Sequence, residues 1–236
     1  MSTKKAVSEK LVVSDIEDVS RTALVKVWEL PVRIIHWTIF TSVVMLSLTG
    51  FYIGNPFVDV ESEAGFFMGW VKAQHALFAW IFIAAIIARI IWMFTGNRWA
   101  RWDQFIPTTA YRRRGIRGSL RYYLFLRREP PRVVGHNPLA GMTYTILFLM
   151  FAVQIFTGLA LKSLDAPGTY LSTIAGWVFD VAPIAVVRSF HHIIMWLTWG
   201  FVVHHFYSAI LIDWEEKNGI LSSIVTGWKR VPTDRL

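Results

Sequence analysis

Two pairs of adjacent histidines stand in one apolar segment, SFHHIIMWLTWGFVVHHFY, which covers residues 189–207. His191 and His205 are fourteen residues apart, close to four helical turns, so they would share one face about 21 Å apart. His192 and His204 are each rotated by about 100° from these neighbours. Imidazole nitrogen is an axial ligand of haem iron, and two stacked haems would need such ligands at two depths. Spacing alone leaves both members of each pair as candidate ligands.

The apolar composition of the chain predicts that these histidines lie on membrane-spanning helices. The chain has 236 residues, of which 54% are hydrophobic, and a mean hydropathy of +0.43. This is too apolar for an ordinary soluble domain. A membrane-spanning helix needs about 20 apolar residues, and four segments meet that length: 34–53, 70–95, 139–161 and 190–212. The expected fold class is an all-α membrane protein, a four-transmembrane-helix bundle.

The charges of the connecting segments predict how the bundle crosses the membrane. Residues 97–138 carry ten arginines against Asp103 and Glu129, whereas 54–69 and 162–189 are poor in cations. The positive-inside rule then puts 97–138 in the cytoplasm, together with both termini. The formal net charge of +8 is thus a topology signal, and no nucleic-acid partner is expected.

Alternating helix directions set the depth of each histidine. His36 stands near the start of the first helix and therefore near the inner surface, while His75 starts the second helix near the outer surface. The fourth helix runs from outside to inside, so His191 is outer and His205 is inner. Depth therefore pairs His75 with His191, and His36 with His205, as axial ligands of an outer and an inner haem. The chain contains no cysteine, so a redox centre must use other ligands.

The fourteen-residue step also marks candidate haem contacts. Gly50 follows His36 by this step, and a residue without Cβ there lets a flat macrocycle approach the backbone. Arg89 follows His75 and reaches the inner level, where it could pair with a haem propionate or snorkel to the interface. Gly158 on the third helix is a similar candidate. Ordinary helix packing is the alternative role of both glycines.

Outside the spans, the chain is expected to lie at the membrane surface. Residues 1–25 are expected to form a disordered cytoplasmic tail without a signal peptide, and 231–236 a C-terminal tail. Residues 26–230 would form a single membrane domain that holds both haems. Interfacial amphipathic helices are predicted at 118–128 and 218–230.

Several motifs carry a resemblance to a known family: RIIHW…LSLTG (33–50), MGWVKAQH (68–75), GNR (96–98), YLFLRR (123–128), GHNPLAG (135–141) and RSFHHIIMW…HHFY (188–207). Together they resemble the b-type cytochrome subunit of membrane-bound Ni/Fe-hydrogenases, a dihaem cytochrome b family. The likeness extends over most of residues 25–230. In that family's pattern the ligands fall on His191 and His205, which leaves His192 and His204 as neighbours.

The resemblance implies a bacterial cytoplasmic-membrane protein that anchors a periplasm-facing hydrogenase. Electrons from H2, oxidised in the nickel–iron large subunit, would arrive through the Fe–S clusters of the small subunit. They would pass to the outer haem b, the inner haem b and then menaquinone or ubiquinone. The hydrogen chemistry would belong to the partner, so this chain is expected to be an electron-transfer subunit surrounded by lipid. His136 and Trp28 are candidates for the neighbourhood of the quinone.

Other classes of protein stay open from the residues. The dihaem subunit of a formate dehydrogenase or thiosulfate reductase, or a b561-type cytochrome, would place histidines in the same way. A transporter with an intramembrane His/Arg relay predicts inverted repeats and broken helices, which the sequence does not suggest. A structural anchor without haem would have no use for histidines matched in depth.

Overall fold

The computed structural model describes residues 22–57, 64–106, 108–124, 126, 138–165 and 167–233. Its helices and strands follow one another as β1 (Thr22–Lys26), α1 (Leu30–Gly54), α2 (Ala64–Thr95), a short 3₁₀ helix (Trp102–Gln104), α3 (Ala110–Tyr123), α4 (Pro138–Ser163), α5 (Tyr170–Ala175), α6 (Val178–Val181), α7 (Ile184–Glu216), α8 (Ile220–Thr226) and β2 (Trp228–Pro232).

Four of these helices, α1, α2, α4 and α7, are long and apolar enough to cross a membrane. The prediction of four spans is confirmed. Helix α2 begins at Ala64 and α7 at Ile184, each before the apolar segment seen in the sequence. The 33 residues of α7 rise about 50 Å, more than the roughly 30 Å of membrane hydrocarbon. The extra turns therefore extend into the polar interface.

The bundle packs α1 against α2, and α4 against α7. A small apolar core of Phe82, Ile86 and Phe151 lies between these pairs. Trp199 on α7 donates a hydrogen bond from Nε1 to Ser47 Oγ on α1 (2.8 Å), which joins the two pairs. Many large apolar side chains point outward instead, as expected of helices whose solvent is lipid.

The two ends of the chain meet in an antiparallel sheet. Strand β1 pairs with β2, from Thr22 opposite Pro232 to Lys26 opposite Trp228. From the sequence, residues 1–25 and 231–236 are expected to be tails; the structure places 22–25 and 231–232 in these strands instead. Each strand has only five residues, and its partner lies at the other end of the chain. No local sequence pattern therefore predicts the pairing.

The sheet and helix α8 lie at the end of the bundle that carries β1 and β2, which we call the inner end. Lys229 of β2 is buried, and this burial lowers its pKa, while attraction to Glu216 and Asp213 opposes that shift. The backbone N–H of Ile220 donates to the Asp213 carboxylate (2.7 Å). Helix α8 lies within the predicted interfacial segment 218–230. The other predicted segment, 118–128, overlaps α3, which starts earlier and ends at Tyr123.

Glu29 fastens the start of α1 to the end of α2. Its Oε2 accepts hydrogen bonds from Trp92 Nε1 (3.1 Å) and from the backbone N–H of Asn97 (3.0 Å). The Asn97 amide in turn donates to the carbonyl of Val27 (3.0 Å). The Gly-Asn-Arg stretch after α2 is therefore tied to the segment that enters α1, and it holds these two antiparallel helices in register.

Candidate functional site

The level of the bundle away from β1 and β2, which we call the outer level, contains His75, which lies against the last turns of α1. Its Nδ1 is 2.8 Å from Oγ1 of Thr49. A Cβ built on Gly50 would lie 3.5 Å from Cε1 of the same imidazole. The antiparallel packing of α1 and α2 thus brings the position fourteen residues after His36 to the depth of His75.

His191 occupies a matching position between α7 and α4. Its Nδ1 is 2.8 Å from Oγ1 of Thr157, and a Cβ on Gly158 would lie 3.2 Å from its Cε1. The amide Nε2 of Gln154 lies 3.1 Å from the other ring nitrogen, Nε2. His75 is within electrostatic range of both His191 and His192. The structure therefore places these three histidines at the same end of the bundle.

The same Thr-Gly dipeptide serves both outer histidines. Thr49 Oγ1 is 2.7 Å from the carbonyl of Met45, and Thr157 Oγ1 is 2.8 Å from that of Val153. Because each hydroxyl has one proton and gives it to its own helix, its oxygen is left to accept from the imidazole. The histidine proton then sits on Nδ1, and the Nε2 lone pair is the one that can bind a metal. At His191 this lone pair faces the Gln154 amide, which would have to give way to a metal.

The inner level is built from His36 and His205. Their ring centroids are 6.4 Å apart, with an angle of 58° between the planes. His205 Nδ1 lies 3.1 Å from the hydroxyl oxygen of Tyr144 on α4, and Phe201 stacks on the His205 ring at 5.6 Å. The Trp37 ring meets His36 edge-on at 5.6 Å.

Arg89 is buried in the inner half of α2. Its two terminal nitrogens each lie 3.3 Å from the carbonyl oxygen of Ala100, and its guanidinium carbon is 5.0 Å from the centre of the Phe105 ring. It is close enough to His36 to interact electrostatically. A guanidinium has five N–H donors, so one carbonyl does not use up its capacity. The structure thus holds a buried positive charge within electrostatic range of His36.

The other histidine of each pair has different neighbours. His192 donates from Nδ1 to the carbonyl of Arg188 (2.9 Å), and its Nε2 would be 2.9 Å from a Cβ on Gly54 of α1. His204 is exposed on the outside of α7, with Nε2 3.5 Å from Ser208 Oγ. His191 and His205 therefore share contacts with polar side chains of α4, which distinguishes them from His192 and His204.

Of the two residues predicted to lie near a quinone, Trp28 is among the described residues and His136 is not. Trp28 donates from Nε1 to Ser223 Oγ (3.2 Å), so it holds α8 against the start of α1. His136 lies outside the described residues.

These residues fit a pair of axially ligated haems. A bond from a metal to imidazole nitrogen is about 2 Å long, so centroids 6.4 Å apart leave room for one metal between His36 and His205. At the outer level, Gly50 and Gly158 place no side chain against the imidazoles, and Oε1 of Gln154 is buried without a hydrogen-bond partner among the described residues.

Four membrane helices with histidines on facing helices define a membrane cytochrome b. The family model described as "Prokaryotic cytochrome b561" matches residues 27–227. A curated relative from Bradyrhizobium diazoefficiens is 36% identical over 86% of this chain and 85% of its own. A relative from Cupriavidus necator is 36% identical over 86% of this chain and 86% of its own. A relative from Escherichia coli K12 is 33% identical over 86% of this chain and 89% of its own.

The chain therefore belongs to the prokaryotic cytochrome b561 family. The relatives from Bradyrhizobium and Cupriavidus are named probable Ni/Fe-hydrogenase B-type cytochrome subunits, and the Escherichia relative is named a probable Ni/Fe-hydrogenase 1 B-type cytochrome subunit. The resemblance noted in the sequence is confirmed, and membership implies haem b as the cofactor class.

Proposed function

We propose that this chain anchors a Ni/Fe-hydrogenase at the membrane and carries electrons from H2 oxidation to a membrane quinone, menaquinone or ubiquinone. The names of the relatives support the hydrogenase partner. The observation that carries the electron-transfer role is the presence of an inward-facing imidazole pair at each of two depths in one bundle. An electron carrier that spans a membrane needs a centre near each surface.

Two haems b, when bound, would supply one-electron carriers that have no open coordination position for a gas. His75 and His191 would hold the outer haem, and His36 and His205 the inner one. Thr49, Thr157 and Tyr144 would fix the orientation and protonation of three of these imidazoles.

Three further residues would shape the same sites. Gly50 and Gly158 would leave the space that a flat macrocycle needs at the outer level, since neither adds a Cβ beside the imidazoles. Arg89 would supply positive charge, and a partner for a propionate, at the inner level.

The orientation that we propose follows the arginine-rich segment 97–138, which would face the cytoplasm with both termini. The outer level then faces the periplasm, where the Fe–S small subunit of the hydrogenase and its nickel–iron large subunit would dock. The outer connection through α5 and α6 exposes Tyr170, Ile174 and Val181, and these side chains are available to lipid or to the partner. We place the complex in the bacterial cytoplasmic membrane.

A reduced-minus-oxidised visible spectrum of membranes that contain the complete complex tests this proposal, with H2 as the reductant. We expect the absorbance change of low-spin haem b, two haems per chain by pyridine haemochrome, and reoxidation when quinone is added. If dithionite reduces the haem b but H2 does not, the chain would instead be the subunit of another dehydrogenase, such as a formate dehydrogenase. A chain without haem would overturn the proposal.

A further inference from the structure

Helix α3 presents a row of arginines on one side. Its exposed side chains include Arg113, Arg114, Arg117 and Arg121. At 100° per residue, these four positions lie within about 100° of one another around the helix axis. Ser119 is fully buried and stands on the opposite side, where α3 packs against α4. The helix therefore has a basic face directed away from the bundle, and we call these arginines the α3 arginine face.

Two contacts hold α3 across the inner end of the bundle. In the segment before α3, the carbonyl of Phe105 lies 3.3 Å from the hydroxyl of Thr145 on α4. At its other end, the Tyr122 hydroxyl donates to Oε2 of Glu215 in the last turn of α7 (2.6 Å). Charged side chains such as Glu215 and Asp213 are costly in hydrocarbon, so this end of α7 stands at the level of the lipid headgroups. The basic face of α3 is held at the same level.

The side chains of the α3 arginine face have few acceptors within the protein. Arg113 donates from Nη1 to the carbonyl of Thr108 (2.8 Å). The side chains of Arg114, Arg117 and Arg121 have neither an ion pair nor a hydrogen bond among the described residues. A guanidinium carries five N–H donors in a planar fork that matches two oxygens of a phosphate. The face therefore offers donors to anionic oxygens from outside the protein.

Two leucines beside the arginines indicate which anion fits. Leu120 and Leu124 are 48% and 57% exposed, and both lie within about 60° of Arg117 around the axis. The backbone N–H of Leu124 donates to the carbonyl of Leu120 (2.9 Å), so the helical turn continues to this residue. A soluble anion would leave both leucines in water. A membrane surface takes up both kinds of side chain, since leucines enter the acyl boundary while arginines reach the phosphates.

We propose that the α3 arginine face binds anionic phospholipid headgroups of the membrane in which the protein is embedded. The guanidinium groups would pair with phosphate oxygens, and Leu120 and Leu124 would insert between the lipids. Because the contact is electrostatic and lies at the surface, it should weaken as salt is added. The inference goes beyond the proposed function and needs neither hydrogenase nor quinone, so the two can fail separately.

The test uses the full-length, haem-loaded chain in phosphatidylcholine nanodiscs. The chain contains no cysteine, so Leu126→Cys gives a single attachment point for a fluorophore, at an exposed position next to α3. The quenchers are phosphatidylglycerol and phosphatidylcholine with the same spin label near the headgroup. We expect half-maximal quenching at about fivefold less phosphatidylglycerol, the effect of one arginine at an anionic surface. At a salt concentration of about 1 M, the difference should largely disappear.

Two triple variants in the Leu126→Cys background assign the preference to α3. Glutamine at positions 114, 117 and 121 removes three charges, whereas lysine at the same positions keeps them. Both residues have a helix propensity close to that of arginine, so α3 should persist, and the haem spectrum checks the fold. The glutamine variant should be quenched equally by both lipids, and the lysine variant should keep most of the preference. Arg188→Gln, on α7 at the outer end, is the matched control and should behave as wild type.

Equal quenching by the two lipids in the wild type would overturn the proposal, and so would a preference that survives the three glutamines. If free glycerol phosphate abolishes the preference, the site binds a soluble anion and the lipid assignment is wrong. Replacing Leu120 and Leu124 together with serine should weaken quenching by both lipids alike. Unchanged quenching in that variant would show that this face does not enter the membrane, which would also overturn the proposal.

Discussion

In the outer level of the bundle, each imidazole contacts a threonine whose own proton goes to a backbone carbonyl. In the inner level, His205 meets the phenol of Tyr144 and the ring of Phe201, while His36 meets the ring of Trp37. The outer imidazoles are thus held by short side chains fixed to the main chain. The inner ones are held by aromatic groups.

The two levels also differ in charge and in access. Arg89 is a buried cation on the inner side, and a cavity lined by Arg33, Trp37 and Ser42 opens on that side. The outer level has glycines against both imidazoles. A site that only relays electrons needs a fixed ligand geometry, whereas a site beside a bound acceptor also needs space and a controlled charge. The two Thr-Gly pairs that contact an imidazole, 49–50 and 157–158, are both at the outer level, whereas Thr95-Gly96 and Thr226-Gly227 stand at the ends of α2 and α8.

The largest effect is expected from removing one ligand at each level. His191→Leu should lower haem b by about half and abolish reduction of the remaining haem by H2, because the outer carrier is missing. His36→Leu should lower haem equally but leave the outer haem reducible by H2, with quinone reduction lost. Pyridine haemochrome and H2-reduced spectra measure both results. His192→Leu and His204→Leu are the controls, and haem loss in either would contradict the ligand assignment.

A smaller effect is expected from Arg89→Leu, which removes positive charge from the inner level only. Reduction adds an electron there, so the cation favours the reduced state and its loss should lower the inner midpoint potential. At a separation of about 10 Å and an effective dielectric constant of about 20, the change is roughly 70 mV. Redox titration of the visible spectrum resolves it. Arg89→Lys keeps the charge, and an equal shift in that variant would count against the electrostatic explanation.

Thr49→Val and Thr157→Val should each raise the midpoint potential of the outer haem. The hydroxyl that accepts from Nδ1–H makes the imidazole a stronger donor and favours ferric iron. A hydrogen bond worth about 1 kcal/mol corresponds to a shift of about 20–40 mV if half or more of it depends on the oxidation state. Thr→Ser at each position should restore the potential. A shift of the inner haem instead would show that the two levels have been exchanged.

The smallest effect is expected from alanine substitution of the two outer glycines, and it should be larger at Gly158 than at Gly50. A Cβ at position 158 would come to 3.2 Å from the His191 ring, whereas one at position 50 would stay at 3.5 Å from His75, an ordinary contact. Gly158→Ala should therefore tilt its imidazole and change the low-spin electron paramagnetic resonance signal of the outer haem, and Gly50→Ala should change it less. Equal spectra for both variants would show that the bound macrocycle, not the imidazole, sets the space at these glycines.

The depth of the four inward histidines could be predicted because it depends on local quantities, the helical rise and the alternation of helix direction. The choice of His191 over His192 depends on how α7 is rotated against α4, which spacing does not specify. The contacts of Thr49 and Thr157 with the imidazoles were missed for the same reason, although the repeated Leu-Thr-Gly and Phe-Thr-Gly stretches were a visible signal. The contact of Tyr144 with His205 has no comparable signal in the sequence.

The pairing of β1 with β2 has a consequence for how the molecule is made. Strand β1 precedes the first membrane helix and β2 follows the last, so the two can pair only after all four helices between them have been made. Helix α8 directly precedes β2, and Gly227 between them accepts hydrogen bonds from Val27 and Trp28. This end of the bundle is therefore completed last, and a chain with one helix missing or wrongly oriented could not form the sheet.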